Sequence, residues 1–460
     1  MKSRFSPSPT GLMHLGNVRT ALFNVLVAKE QEQEQEQGLF LLRIEDSDRE
    51  RSKQEYTDAL LRDLTWMGLL WQEGPYYQSE RNEIYDKYYQ QLIDTQKAYP
   101  CFCTELELTL SRKTQVSSGK PPRYNGKCRN LSTEQVASLR QQGLVEALRF
   151  KVGENTQITF TDLVQGPKIF QADDIGDFII KKGDGFASFM FCNAIDDALM
   201  GVTHAFRGED HLTNTPRQLL ILEALGLRHP EYGHMPLIVG HDGKPLSKRN
   251  GSQSIEDLRS QGYFSLALVN YLARLGHHYD VEQDRKLLSL AELRQYFQIN
   301  HIGRSPAHYD EVQLHYWQKE AIQLLTNEAL WDWMKDSVQN LVPMHQQGLF
   351  VEAIKANIVM PKDALFWAKI VFDTNETQED AKLCLAQTSK DYIEAAKQAV
   401  LNYGADYKKV IEEIKHKTNL KGKNLFMPLR ALLTGVCFGP ELEKIFLLMG
   451  KDKLLLKLNK

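Results

Sequence analysis

The stretch RFSPSPTGLMHLGN, Arg4–Asn17, constrains this chain more than any other. A short strand-like run precedes it, and after it Val18, Leu22, Val25 and Leu26 recur at helical spacing with Ala21 on the same stripe. Pro7 and Pro9 each fix φ and give up an N–H, so the connection between strand and helix is stiff. Gly11 and Gly16 are expected to let the backbone bend and approach a ligand closely. LFLLRI, Leu39–Ile44, is short, apolar and preceded by Gly38, and reads as a buried strand whose far end delivers Glu45, Asp46 and Asp48. Strand, stiff turn, helix and strand make a βαβ unit of a parallel sheet. Ligands of such sheets bind beyond the carboxyl ends of the strands. His14 and the free N–H groups of the helix N-terminus then face one pocket, where a phosphate is favoured. The polar repeat EQEQEQEQ, residues 30–37, is given no function.

At 460 residues the chain exceeds a single core, and three or more domains are expected. No apolar run approaches the ~20 residues of a membrane-spanning helix. The start has no apolar signal region, and six cysteines are too few for a disulfide framework, so a reducing cytoplasm is the expected compartment. The net charge of −3 neither requires nor excludes a nucleic acid. From Lys408 onward there are 12 Lys/Arg against 5 Asp/Glu, which by itself reads as a solvated helical face.

Residues 55–100 read as helix-rich, and 101–185 as an inserted α+β segment with a strand at Phe178–Lys182 and a turn at GDG, 183–185. Thr215 suits a helix N-cap, Pro216 the first helical position and Gly226 the stop. From about 315 onward the pattern is helical. The expected fold is an α/β domain with a parallel sheet, split by the α+β insert and followed by all-α domains.

A second motif, HDGKPLSKRNG, places Lys244, Lys248 and Arg249 in a glycine-bounded loop. There is no GxxxxGK[ST], so ATP would not be held by a P-loop. With the supporting stretches LRIEDSDRERS, NAIDDALMGVTHAFRGEDHLTNTPRQ, SPAHYDEVQL and MPLRALLTG, the chain resembles class I aminoacyl-tRNA synthetases of the bacterial glutamyl type. His14-Leu15-Gly16-Asn17 stands at the family's first ATP motif, and Pro245 to Arg249 at its second.

The resemblance implies ATP-dependent attachment of L-glutamate to the 3′ end of tRNA through a glutamyl-adenylate, with Mg2+ accompanying ATP. A nucleotide-binding (Rossmann-type) catalytic domain would then span 1–100 and 186–240. The insert at 101–185 would bind the tRNA acceptor end, 241–315 would carry the Ser-Lys-Arg loop, and 316–460 would read the anticodon. His14, Gly16, Asn17 and Lys248 are implied as catalytic. Pro7, Ser8, Pro9, Thr10, Gly11, Ser247 and Arg249 join them around ATP. Arg4, Ser6, Ser8, Glu45, Phe189, Asn193 and Arg207 are implied at glutamate, and Glu209 and Asp210 at the ribose or the tRNA end. A monomer acting on glutamate tRNA, and on glutamine tRNA in some relatives, is expected.

Four positions depart from the family pattern. Phe189 stands where a tyrosine is usual, Pro245 where a lysine is, and Asn17 where the first motif ends in histidine. Cys101, Cys103 and Cys128 match a zinc pattern seen in part of the family, but Asn130 stands where a histidine is frequent. Tyr124 is the alternative fourth ligand, and three good ligands with one doubtful one weigh slightly against zinc. The rival readings are a copy specialised for glutamine tRNA and a weakened paralogue that binds tRNA without charging it.

Overall fold

The structure is a computed structural model that describes all residues except 29–37, 49, 120–121, 247–252, 374–375 and 460. The EQEQEQEQ repeat and the Ser247-Lys248-Arg249 triplet thus lie outside the described residues. The chain divides into two units, one of Met1–Asp257 with Val269–Asp310, the other of Leu258–Leu268 with Glu311–Lys460.

In the first unit, strand β1 (Lys2–Phe5) runs into the proline loop, and helix α1 (Leu15–Val27) follows. The stripe Val18, Ala21, Leu22, Val25 and Leu26 is at most 1% exposed, so the 3.6-residue period does seat this helix on the sheet. β2 (Leu39–Ile44) is buried from Phe40 onward, as its unbroken apolar run requires. Between the helices Gln54–Trp66 and Asn82–Asp94 lies β3 (Glu73–Tyr77), in a region whose sequence reads as helical. It is an edge strand of the sheet, where Pro75 can be accommodated.

The insert carries β4 (Ala98–Cys101), β5 (Ala147–Phe150), β6 (Gln157–Asp162), β7 (Gly166–Gln171) and β8 (Phe178–Lys181). β4, β5 and β8 form an antiparallel sheet, and β6 and β7 a hairpin. The expected turn after β8 closes with the Lys182 N–H donating to the Phe186 carbonyl at 2.8 Å. Leu148, Phe150 and Ile180 of the insert share one core with Phe191, Ile195 and Leu222 behind the parallel sheet.

The chain returns through the helix Phe189–Leu199 to β9 (His204–Gly208), the helix Thr215–Leu225 and β10 (Glu231–Met235). The parallel sheet has the order β3-β2-β1-β9-β10, with every pairing parallel. Successive connections wind to opposite sides of β1, and the crevice between the ends of β1 and β9 is the switch point where doubly wound sheets bind ligands. Gly226 ends its helix in the left-handed conformation, φ 65°, as expected. Thr215 is not the N-cap, however: it is the first helical residue, Asn214 precedes it as cap, and the Thr215 hydroxyl is engaged by Arg207 and His234.

All described regular structure of the second unit is helical. Its core gathers Phe350, Trp367, Tyr392 and Phe446, all nearly inaccessible, together with aliphatic residues from Ile322 to Leu458. The helix Tyr407–Thr418 turns Val410 and Ile414 inward and leaves Lys408, Lys409, Lys415 and Lys417 exposed.

Candidate active site

His14 is the N-cap of α1, and its Nδ1 accepts the Gly16 N–H at 3.1 Å. An accepting Nδ1 places the ring proton on Nε2, so the neutral imidazole presents one N–H donor to the cleft. Partial burial lowers the ring's pKa below the ordinary value, which keeps this tautomer neutral. The Asn17 side chain reaches back to accept the His14 N–H at 3.2 Å, completing a reciprocal cap. A Cβ on Gly16 would lie 3.0 Å from Cε1 and 3.1 Å from Nδ1 of the His14 ring. Gly16 is thus small for the ring's sake. Neither Gly16 nor Gly11 has a positive φ, and a Cβ on Gly11 would meet nothing within 4 Å, so no left-handed backbone calls for glycine at either position. The loop is pinned by the Pro7 carbonyl accepting Glu45 N–H at 2.9 Å and the Pro9 carbonyl accepting Lys53 N–H at 3.1 Å.

The cleft behind this turn has a volume of ≈ 510 Å³, suited to a small polar substrate and part of a nucleotide. Arg4, Ser6, Pro7, Ser8, Thr10, His14, Gly16, Asn17, Glu45, Phe189, Asn193, Arg207 and Asp210 all line it. Pro9, Gly11 and Glu209 do not. The Glu209 carboxylate accepts the Leu237 N–H at 3.1 Å.

Glu45, at the end of β2, accepts from the Ser6 hydroxyl at 2.7 Å and the Ser8 hydroxyl at 3.3 Å. Burial raises its pKa, with Arg43 and Ser6 opposing. Arg4 is committed to Asp197, with Nε–Oδ1 at 3.2 Å and Nη2–Oδ2 at 3.3 Å. Arg43, fully buried on β2, reaches Asp197 at 2.8 Å, Asp196 at 3.8 Å and the side-chain Oδ1 of Asn193 at 2.8 Å. Arg81 pairs with Asp196 at 2.7 Å. Arg4, Arg43 and Arg81 therefore balance Glu45, Asp196 and Asp197.

Arg207 lies outside that balance. It is 5% exposed, it has no carboxylate in contact among the described residues, and burial lowers its pKa to about 10. Its Nη2 donates to Thr215 Oγ1 at 2.7 Å and Gln218 Oε1 at 2.8 Å, and its Nε to His234 Nε2 at 3.1 Å. Nη1 is buried without a partner, and Nδ2 of Asn193 is buried beside the Glu45 carboxylate, whose pKa it helps to lower. Buried donors left unpaired are costly, so the cleft calls for a ligand rich in acceptors. Phe189 opens its helix and stacks on His211, 5.3 Å between centroids.

In the insert, the thiols of Cys101, Cys103 and Cys128 lie within 4.8 Å of one another. The Tyr124 hydroxyl is 3.6 Å from Cys101 Sγ and 3.4 Å from Cys103 Sγ. Arg149 Nε donates to Cys101 Sγ at 3.1 Å. Lys244 is exposed beside the second motif.

Sequence reasoning missed Arg43, the Asp196–Asp197 pair, Thr215, Gln218 and His234. The signal for the first three was the polar doublet on an otherwise apolar helix and the lone arginine in LFLLRI. No local signal marked His234.

Residues 1–316 match the family described as tRNA synthetases class I (E and Q), catalytic domain, and residues 354–460 match an anticodon binding domain. A glutamate–tRNA ligase of Coxiella burnetii is 50% identical, the alignment covering 98% of this chain and 97% of that protein. One from Methylococcus capsulatus is 48% identical, over 99% and 97%. The crystal structure of a glutamate–tRNA synthetase from Elizabethkingia anophelis superposes with a TM-score of 0.87 at 28% identity, covering 100% of this chain and 99% of that one.

Proposed function

The chain belongs to the glutamate–tRNA ligases of the class I synthetases, and from that premise we propose how its cleft forms glutamyl-adenylate and passes glutamate to tRNA. The buried donor Arg207 Nη1, left without a partner, carries the reading. Arg207 receives the substrate's side-chain carboxylate, and Asn193 donates to the amino acid beside it. Glutamine offers Arg207 one amide oxygen and no charge, so the buried cation loses the charge-assisted pair that glutamate's carboxylate would give it, and the same geometry disfavours it. Glu45, held by Ser6 and Ser8, pairs with the α-ammonium. Glu45 stays ionised in the complex because the ammonium adds an opposite charge at contact.

The α-carboxylate oxygen attacks the α-phosphorus of ATP. The new O–P bond forms as the bond to the bridging oxygen breaks, and pyrophosphate leaves with its Mg2+. The protein's part is alignment and charge. His14 Nε2–H and the N-terminus of α1 donate to phosphate oxygens, and Lys248 supplies the cation on the pyrophosphate side. In the second step the terminal ribose hydroxyl of tRNA attacks the glutamyl carbonyl and AMP leaves. Asp210 faces the ribose or the tRNA end. The basic helical region from Lys408 onward engages the anticodon arm. A copy specialised for glutamine tRNA is not favoured, since the relatives that match over nearly the whole chain are glutamate–tRNA ligases.

The insert cysteines fit zinc. Sulfurs bound tetrahedrally at about 2.3 Å lie about 3.8 Å apart, and Cys103 and Cys128 are 3.6 Å apart; Cys101, Cys103 and Cys128 would hold the ion, with Tyr124, 3.4 Å from Cys103, as the candidate fourth ligand. Such an ion would cross-link the insert, and the Arg149 N–H on Cys101 would offset thiolate charge. The thiol spacing supports this reading, and Asn130 in place of the frequent histidine weighs against it.

The test is ATP–pyrophosphate exchange, with tRNA present, for glutamate, glutamine and aspartate. Exchange with glutamate at least about a hundredfold more efficient than with glutamine is expected of a buried guanidinium left without its counter-charge by the wrong side chain. Equal exchange with both would overturn the assignment of Arg207.

A further inference from the structure

Resting on the glutamate pocket just described, we propose that Asp162, on the insert hairpin, positions the Arg207 guanidinium for the substrate carboxylate by fixing the tautomer of His234. The three residues form a buried chain across two parts of the fold. Asp162 ends β6 of the insert, His234 lies on β10, and Arg207 lies on β9. They are 2%, 0% and 5% exposed.

The hydrogens along the chain can be assigned at each atom. Asp162 Oδ2 takes the hydrogen of His234 Nδ1. Nε2 of the neutral ring is therefore bare, and it accepts from Arg207 Nε at 3.1 Å and from the Thr215 hydroxyl at 3.0 Å. Thr215 in turn accepts from Arg207 Nη2, whose other hydrogen goes to Gln218. Every hydrogen on the Nε and Nη2 edge is used. Only Nη1 remains, buried with none of its hydrogens taken, on a residue that lines the cleft. The clamp thus decides which edge of the guanidinium is offered to a ligand. A carboxylate 72 residues upstream of His234 in sequence sets it.

The same aspartate also has a structural part, and that part is separable. Its Oδ1 accepts the N–H groups of Val164 at 2.9 Å, Gln165 at 2.7 Å and His234 at 3.2 Å. Asp162→Asn keeps a carbonyl oxygen for those three and turns an N–H2 toward His234 Nδ1. The ring must then accept at Nδ1 and carry its hydrogen on Nε2. That hydrogen would meet the Nε–H of Arg207 head-on, and the guanidinium would be pushed off its clamp. Asparagine in place of a buried aspartate is known to enforce the wrong histidine tautomer in this way.

The experiment measures KM for glutamate and for ATP in the exchange reaction of the full-length protein. Asp162→Asn should raise KM for glutamate by about tenfold or more, the scale of one hydrogen bond to a charged group, and leave KM for ATP unchanged. In His234→Gln, with Asp162 kept, the glutamine amide can donate its N–H2 to the carboxylate and present its oxygen to Arg207, and KM for glutamate should stay well below that of Asp162→Asn. Arg207→Lys runs in parallel. If Arg207→Lys raises KM for glutamate and Asp162→Asn does not, the positioning role is wrong. It is equally wrong if Asp162→Asn raises both KM values by one factor, or if His234→Gln raises KM for glutamate as much as Asp162→Asn does. If Arg207→Lys leaves KM for glutamate unaltered, the pocket reading itself fails and the proposal falls with it.

Discussion

Replacing Gly16 by alanine should separate folding from catalysis with opposite signs. Gly16 is the second residue of α1 and has an ordinary helical backbone, so alanine there should stabilise the helix by about 0.5–1 kcal/mol. The added Cβ, however, would stand 3.0 Å from Cε1 and 3.1 Å from Nδ1 of His14, inside ordinary van der Waals contact. The ring must give by a few tenths of an ångström, and it pivots on the very Gly16 N–H that fixes its tautomer. Losing one aimed donor outright costs roughly 10²–10³ in rate. A displaced donor should cost less, about 10–100-fold. Gly11→Ala is the control, because its Cβ would meet nothing within 4 Å. The assay pairs ATP–pyrophosphate exchange with chemical unfolding followed by tryptophan fluorescence. Slower exchange with unchanged or greater stability is the expected result for Gly16→Ala, and no effect on either for Gly11→Ala. Exchange within twofold of the parent would refute the role of the His14 ring, and a parallel fall in stability would reduce Gly16 to a packing residue.

Further outcomes follow from the same geometry. Protonating His14 would replace the Nδ1 acceptor by a donor against the Gly16 N–H. Because burial lowers its pKa, the acid limb of kcat/KM should lie below pH 6.5, and a limb above that value would contradict the assignment. Asp197→Asn leaves Arg4 and Arg43 buried with one carboxylate fewer, and should cost about 3–5 kcal/mol in denaturant titrations. Burial alone would raise the Asp197 pKa, but Arg4 and Arg43 outweigh it and lower it. Its contribution is therefore complete above the unfolded value of about 3.9 and lost as pH falls through the lower folded value. Metal analysis should find about one zinc per chain, and Cys103→Ser should lose it. A parent protein with no zinc would return the cluster to three reduced thiols.

Where a segment's signals are local, the sequence was readable. Stiff loop, apolar stripe and apolar run gave β1, α1 and β2, and they also gathered Ser6, Ser8, His14 and Glu45 at one cleft. β3 was hidden because an edge strand holding Pro75 needs no apolar alternation. Thr215 looked like a helix cap because its residue type suits one. Its hydroxyl serves Arg207 instead, and the turn of 3₁₀ helix at Glu209–Asn214 leads into the helix without it. The Asp162–His234–Arg207 chain had no local signature, because each member becomes polar machinery only when strands from distant parts of the chain are brought together. Arg4 looked like a substrate ligand from its motif. Its Nε and Nη2 are taken by Asp197, whereas Nη1 of Arg207, and Nε and Nη2 of Arg19 at the same cleft, are buried without a partner.

The most direct measurement is to incubate the purified protein with ATP, Mg2+, labelled glutamate and total bacterial tRNA, and to identify each tRNA that becomes charged. Label on glutamate tRNA is the predicted result. No charged tRNA, with a known glutamate–tRNA ligase active in parallel, would contradict the account and turn the cleft into one that binds its ligands without joining them.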